Sequence, residues 1–207
     1  MTRLRGVVAA AVLAGLLGSA FAAAPATAAP SNPLTPRLSA PDGKCVVDDD
    51  DPQATVESLQ HRCTSRQILD LFAKAPVGDA PSGRKAIALL PAFQVGGRLL
   101  PYGAARTMTT LQNKLGDTLT FTDGPGGAPW AYKDYIWGRD AGGPLTSGLS
   151  RLDRKPVWTA DFSRDFAGMP ISIHEYRQLT EGVWIGRDIG GGSSTSSRPT
   201  GGAIALS

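Results

Sequence analysis

The stretch from Asp117 to Asp188 constrains the fold most, because short runs rich in Thr, aromatics and Ile/Val alternate there with Gly/Pro turns. Thr118 to Thr122 is followed by Asp123-Gly124-Pro125-Gly126-Gly127, and Ala131 to Trp137 by Gly142-Gly143-Pro144. Leu145 to Arg151 leads through Asp153-Arg154-Lys155-Pro156 into Val157 to Phe162. Ile171 to Leu179 and Val183 to Asp188 flank Thr180-Glu181-Gly182, a hairpin-sized turn. This spacing predicts an antiparallel meander, which removes its exposed edges best by curling into a barrel or sandwich. The tail from Gly190 to Gly202 is low-complexity Gly/Ser/Thr and reads as disorder. Ala203-Ile204-Ala205-Leu206 is apolar and predicts a last strand returning after it. A chain with 25 Gly and 16 Pro suits a turn-rich β protein better than a helical bundle. The expected fold is mainly β: a single antiparallel β-barrel over residues 44–207 with one or two short N-terminal helices.

The N-terminal part reads differently. Arg3 and Arg5 precede an apolar run from Val7 to Phe21, and Ala26-Thr27-Ala28 offers a small-x-small cleavage site. Residues 1–28 therefore read as a secretory signal peptide, too short and Ala/Gly-rich for an integral membrane span. Without an Arg-Arg pair the Sec route is favoured, and without a Cys at the cleavage point a lipid anchor is not expected. Residues 29–43, rich in Pro and Ser, read as a flexible lead-in. In an exported chain the two cysteines, Cys45 and Cys63, read as a disulfide worth roughly 3 kcal/mol that pins an N-terminal arm. Asp48 to Asp51 reads as a solvated loop, since calcium loops interleave their ligands with spacers and a Gly turn. Thr64 and Gln67 make a capping box, and Ile68, Leu69 and Phe72 share a face of the helix it starts, which Pro76 ends. Ile87 to Leu90, bounded by Pro91, reads as the first strand, and Gly103 to Leu115 as a helix.

Several function classes are excluded or weakened. There is no nucleophile elbow, zinc-helix, Walker or dinucleotide motif, so no cofactor is expected. The precursor carries 21 basic and 18 acidic residues, and losing Arg3 and Arg5 brings it near neutrality. No basic cluster remains to bind nucleic acid. Of the two histidines, His174 sits beside Glu175 on a strand, where neighbours point to opposite faces; it reads as structural. No histidine pair is placed to hold zinc, and no metal site is expected.

Acid/base carboxylates remain open, with Asp161, Glu175 and Asp188 on predicted strands. Trp158, Ala160 and Phe162 share one face; Ile173, Glu175, Arg177 and Leu179 share another. That mixed face fits a barrel interior in which Glu175 and Arg177 pair with Asp161 and orient a headgroup, or else an outward face with ordinary salt bridges. Trp130 and Tyr132 fall on one face, Tyr135 and Trp137 on the other, so one set can line the interior and one can stack on a sugar or cover the sheet.

The run Ser150-Arg151-Leu152-Asp153-Arg154-Lys155-Pro156, then Thr159-Ala160-Asp161-Phe162-Ser163, His174-Glu175-Tyr176-Arg177-Gln178-Leu179 and Glu181-Gly182-Val183-Trp184-Ile185-Gly186, has a recognisable order. With the Leu69-Asp70-Leu71-Phe72 helix, it resembles the C-terminal half of small secreted β-barrel proteins of actinobacteria and fungi, lipocalin-like or related to GXWXG-type domains. The resemblance implies a barrel and binding of an apolar small molecule. The expected function is a secreted, non-enzymatic binding protein for an apolar or lipid-like small molecule. Trp158, Phe162, Tyr176 and Trp184 would line its cavity, with Asp161, Glu175 and Arg177 as polar members. Two alternatives stand: a wall- or glycan-associated module using the aromatics of Trp130 to Trp137, and a hydrolase-like enzyme using Asp161 or Glu175.

Overall fold

A computed structural model describes residues 41–113, 116–168, 172–190 and 198–207. The leader, residues 29–40 of the lead-in and residues 191–197 of the tail lie outside them. The described chain is mainly β and contains one closed antiparallel barrel. Its strands are β1 (Gly83–Val95), β3 (Thr118–Asp123), β4 (Pro129–Tyr135), β6 (Gly143–Leu149), β7 (Pro156–Asp161), β8 (Ile173–Thr180), β9 (Val183–Asp188) and β10 (Gly201–Leu206). Pairing runs β1-β3-β4-β6-β7-β8-β9-β10 and closes from β10 back to β1. The short strands β2 (Arg98–Leu99) and β5 (Gly138–Arg139) extend β1 and β4 into hairpins. The apolar C-terminal residues do form a strand, and it closes the barrel: Ile204 pairs with Leu89 on one side and Gly186 on the other.

Alternation divides the strand side chains into two cores. Leu119, Phe121, Ala131, Leu145, Ala160, Phe162, Tyr176, Trp184, Ile204 and Leu206 point inward and pack together. Leu90, Ala92, Val157, Val183, Ile185, Ala203 and Ala205 point outward, where helices cover them. These helices are α1 (Pro52–His61) and α2 (Ser65–Lys74), which bury Leu59, Ile68 and Phe72 against the barrel wall. Each such burial contributes about 1.5–3 kcal/mol. Helix α2 begins at the expected capping box: Gln67 N donates to Thr64 Oγ1 at 3.2 Å, and Thr64 N to Gln67 Oε1 at 2.9 Å. A third helix, α3 (Tyr102–Asn113), lies beside β1. Cys45 and Cys63 are joined, which ties the arm before α1 to the start of α2.

Two sequence expectations are corrected. The first strand does not stop at Pro91 but continues to Val95. Leu90 faces Ala203 and Phe93 faces Gly202, so Pro91 and Ala92 fall in a bulge, where a missing N–H costs no ladder bond. Asp51, expected in a solvated loop, is the N-cap of α1, its Oδ1 accepting from Ala54 N at 2.9 Å with Pro52 in the first turn.

Candidate functional site

One end of the barrel is crossed by the segment between α2 and β1. Trp158 Nε1 donates to the Gly78 carbonyl at 3.2 Å, and Trp184 Nε1 to that of Asp79 at 2.9 Å. Gln178 Oε1 accepts from Asp79 N at 2.7 Å. Tyr176 fills the next layer, with Phe121 edge-on at 5.9 Å, and Phe162 the layer beyond, edge-on to His174 at 5.1 Å. The four aromatics Trp158, Phe162, Tyr176 and Trp184 thus share the interior, and Tyr176 and Phe162 are almost fully buried there.

The polar residues chosen with them lie elsewhere, which corrects the expectation of Glu175 and Arg177 inside. Both occupy the opposite parity to Tyr176 and face outward, beneath α2 and the β6–β7 turn. Glu175 accepts from Ser150 Oγ at 2.6 Å and Arg151 N at 2.7 Å. Arg177 donates to the Phe72 carbonyl at 2.8 Å and makes a two-pronged bond to Asp153 at 2.8 and 2.6 Å. Asp161 also faces outward and accepts from Ser163 N at 2.9 Å. These groups hold turns and a helix to the wall, and Asp161 does not pair with either. Trp130 and Tyr132 are outward too, with the guanidinium groups of Arg164 and Arg139 over their rings.

The interior becomes polar at the end opposite the strap. Lys133 follows Ala131 on the inward face of β4, and Tyr135 follows Lys133. Asp188 faces His174 across the β8–β9 ladder. Asp165 arrives on a single helical turn, Asp165–Gly168, after β7. Tyr135 Oη donates to Asp165 Oδ2 at 2.7 Å, and Gly142 N to Asp165 Oδ1 at 2.7 Å. His174 Nδ1 is 2.8 Å from Tyr176 Oη, and Nε2 is 2.8 Å from Ser172 Oγ. Asp188 Oδ2 lies 3.9 Å from Nε2. We assign the ring proton to Nε2, on the Asp188 side, so that Nδ1 accepts from the phenol.

Burial dominates the electrostatics here. It lowers His174 to about 3, so the imidazole is neutral at physiological pH, and the positive charge of Lys133 adds to the effect. It raises Asp188 to about 6 against the opposing pull of Gly190 N, Lys133 and Arg187. Asp165 is likewise raised by burial, against bonds from Tyr135 and Gly142. Burial lowers Lys133, while the charges of Asp188 and Asp165 oppose the shift. The ammonium lies over the Tyr135 ring at 5.3 Å, and among the described residues it makes no ion pair within 4.0 Å. Strands β4 and β9 lie across the barrel from each other, so Lys133 and Asp188 face one another without touching, while Asp165 sits on the Lys133 side, held by Tyr135 and Gly142. At the rim Trp137 stacks on Tyr135 at 4.9 Å, 54% exposed.

Of these residues, strand placement and alternation in the sequence single out Asp188 and Tyr135 but not Lys133 or Asp165. The signal for Lys133 was its parity with Tyr135. Among the described residues no group of three or more His, Cys, Asp or Glu side chains is arranged to hold a metal ion, and no helix is long and apolar enough to cross a membrane. No family model, curated protein or solved structure matches the chain.

Proposed function

We propose that this protein is exported and binds, without turning over, a small molecule with an apolar body and a polar head. The head sits between Lys133 and Asp188, and the body lies against Tyr135, Trp137 and Phe162. One observation carries the reading: the Lys133 ammonium and the Asp188 carboxylate, on opposite walls at the barrel's end, are both desolvated and form no ion pair with each other. Desolvated charges that do not satisfy one another favour a ligand that bonds to both sides. The Cys45–Cys63 disulfide supports an oxidising compartment. Native mass spectrometry of protein from culture supernatant tests the reading. The expected result is a co-purifying species that leaves on denaturation, held about tenfold less well by Lys133→Met, a loss of about 1.4 kcal/mol. A wild-type protein with only its apo mass would overturn it.

The carboxyl of Asp188, raised to about 6, favours a second reading, acid/base chemistry at Asp188 itself. Deuterium passing from heavy water into carbon positions of the bound species with wild type, and not with Asp188→Asn, would replace binding with turnover.

A further inference from the structure

We propose that the rim around Lys133 is a docking face for an anionic phospholipid surface. Strands β1 and β4 both run antiparallel to β3, so their C-terminal hairpins project from the same end of the barrel. Each hairpin turns a large apolar side chain into solvent. Val95 is 48% exposed on the first; Ile136 is 75% and Trp137 54% exposed on the second. An isolated exposed apolar residue needs no account, but a grouping of them at one end does.

The charge of the same rim selects the occupant. Arg98 lies in the first hairpin, and Arg198 beside it, where Gly97 N donates to the Pro199 carbonyl at 2.9 Å. Arg164 follows β7 at this end. All three are exposed, and among the described residues none makes an ion pair within 4.0 Å. The acidic groups nearby are already engaged: Asp134 is bonded to Arg139 at 2.8 Å, Asp140 accepts from Ala141 N at 2.8 Å, and Asp165 is buried. Apolar tips beside unpaired arginines match a membrane interface, where Trp and Ile enter the acyl boundary and guanidinium groups meet phosphates. The face surrounds the Lys133 end of the barrel, and the proposal stands without a ligand there.

Co-sedimentation with vesicles tests it, using the mature protein with pure phosphatidylcholine and with about 30% phosphatidylglycerol, a typical anionic content. Wild type is expected to pellet with the anionic vesicles, with its tryptophan emission shifted to the blue. The double variant Ile136→Ser, Trp137→Ser should lose about tenfold in partition. Leu149→Ser is the control for folding and general hydrophobicity: Leu149 is 53% exposed at the other end of the barrel, and its loss should leave binding within about twofold. Replacing Arg98 and Arg198 by Gln should remove most of the salt dependence. Wild type left in the supernatant would overturn the proposal, as would equal losses in the Leu149 and Ile136/Trp137 variants. A dimer that the Ile136/Trp137 variant turns into monomer, without wild-type pelleting, would assign the patch to self-association.

Discussion

Arg177 illustrates how much of this chain's polar chemistry is structural. Its side chain is fully buried on the outer wall, over the Phe72 ring at 4.5 Å, and bonds to the carbonyls of Phe72 and Pro156 as well as to Asp153. Asp153 is 26% exposed, so one half of the pair keeps contact with water and its desolvation cost is moderate. Arg177→Met would leave both carbonyls buried without a partner. It is expected to cost about 3 kcal/mol in urea unfolding, against less than about 1 kcal/mol for an exposed pair such as Arg139–Asp134. Loss of under about 1 kcal/mol would mean that water or relaxation replaces the bonds. The sequence placed Arg177 and Glu175 correctly on one face, opposite Tyr176. Which face was inside depended on the helix that covers the other, and alternation carries no information about that.

At the scale of elements, the meander was legible because each run is bounded by Gly or Pro, and α2 because its cap is written in Thr64 and Gln67. Helix α1 was missed: its buried residues include Thr55 and Ser58, so it lacks a clean apolar stripe. The Asp51-Pro52 start was the available sign. The pairing of His174 with Asp188 was also hidden. A tight turn at Glu181-Gly182 sets Thr180 opposite Val183, and regular alternation would then bring His174 opposite Ile189. A bulge between Gln178 and Thr180 shifts the register by one and puts Asp188 there. The β8–β9–β10 stack depends on close approach at Gly186, where a Cβ would lie 2.7 Å from Tyr176 Cδ1 and 2.9 Å from Ile204 Cγ1. Both neighbours are buried in the inner core, so Gly186→Ala should destabilise by about 1–3 kcal/mol; a neutral result in urea titration would show that the core can yield. The disulfide acts on a different element. Replacing Cys45 and Cys63 by Ser should cost about 3 kcal/mol and speed hydrogen exchange over α1 well before the barrel strands. Uniform acceleration would instead mean that arm and barrel unfold as one unit.

For the molecule as a whole, the inner polar end predicts how stability depends on pH. His174 is depressed to about 3 in the fold, so its contribution is complete above its ordinary value of 6.5 and is lost as pH falls towards 3. Asp188 acts in the opposite sense: raised to about 6, it adds stability as pH falls from 6 to its ordinary 3.8, because the folded state takes up a proton that the unfolded chain does not. Between about pH 6 and 4 the unfolded chain gains its proton on His174 while the fold gains one on Asp188, and the two slopes offset. Asp165, also raised by burial, adds to the Asp188 side. Below about pH 4 the offset ends. Asp153, held down by Arg177, then takes up its proton later in the fold than in the unfolded chain, so acid unfolding should set in there. Asp188→Asn removes the offset, so its stability relative to wild type should fall by about 2–3 kcal/mol between pH 6 and 4. Melting curves of the two proteins across that range measure the difference. Parallel profiles would mean that Asp188 is solvated in solution, which would also remove the desolvated carboxylate on which the binding site depends.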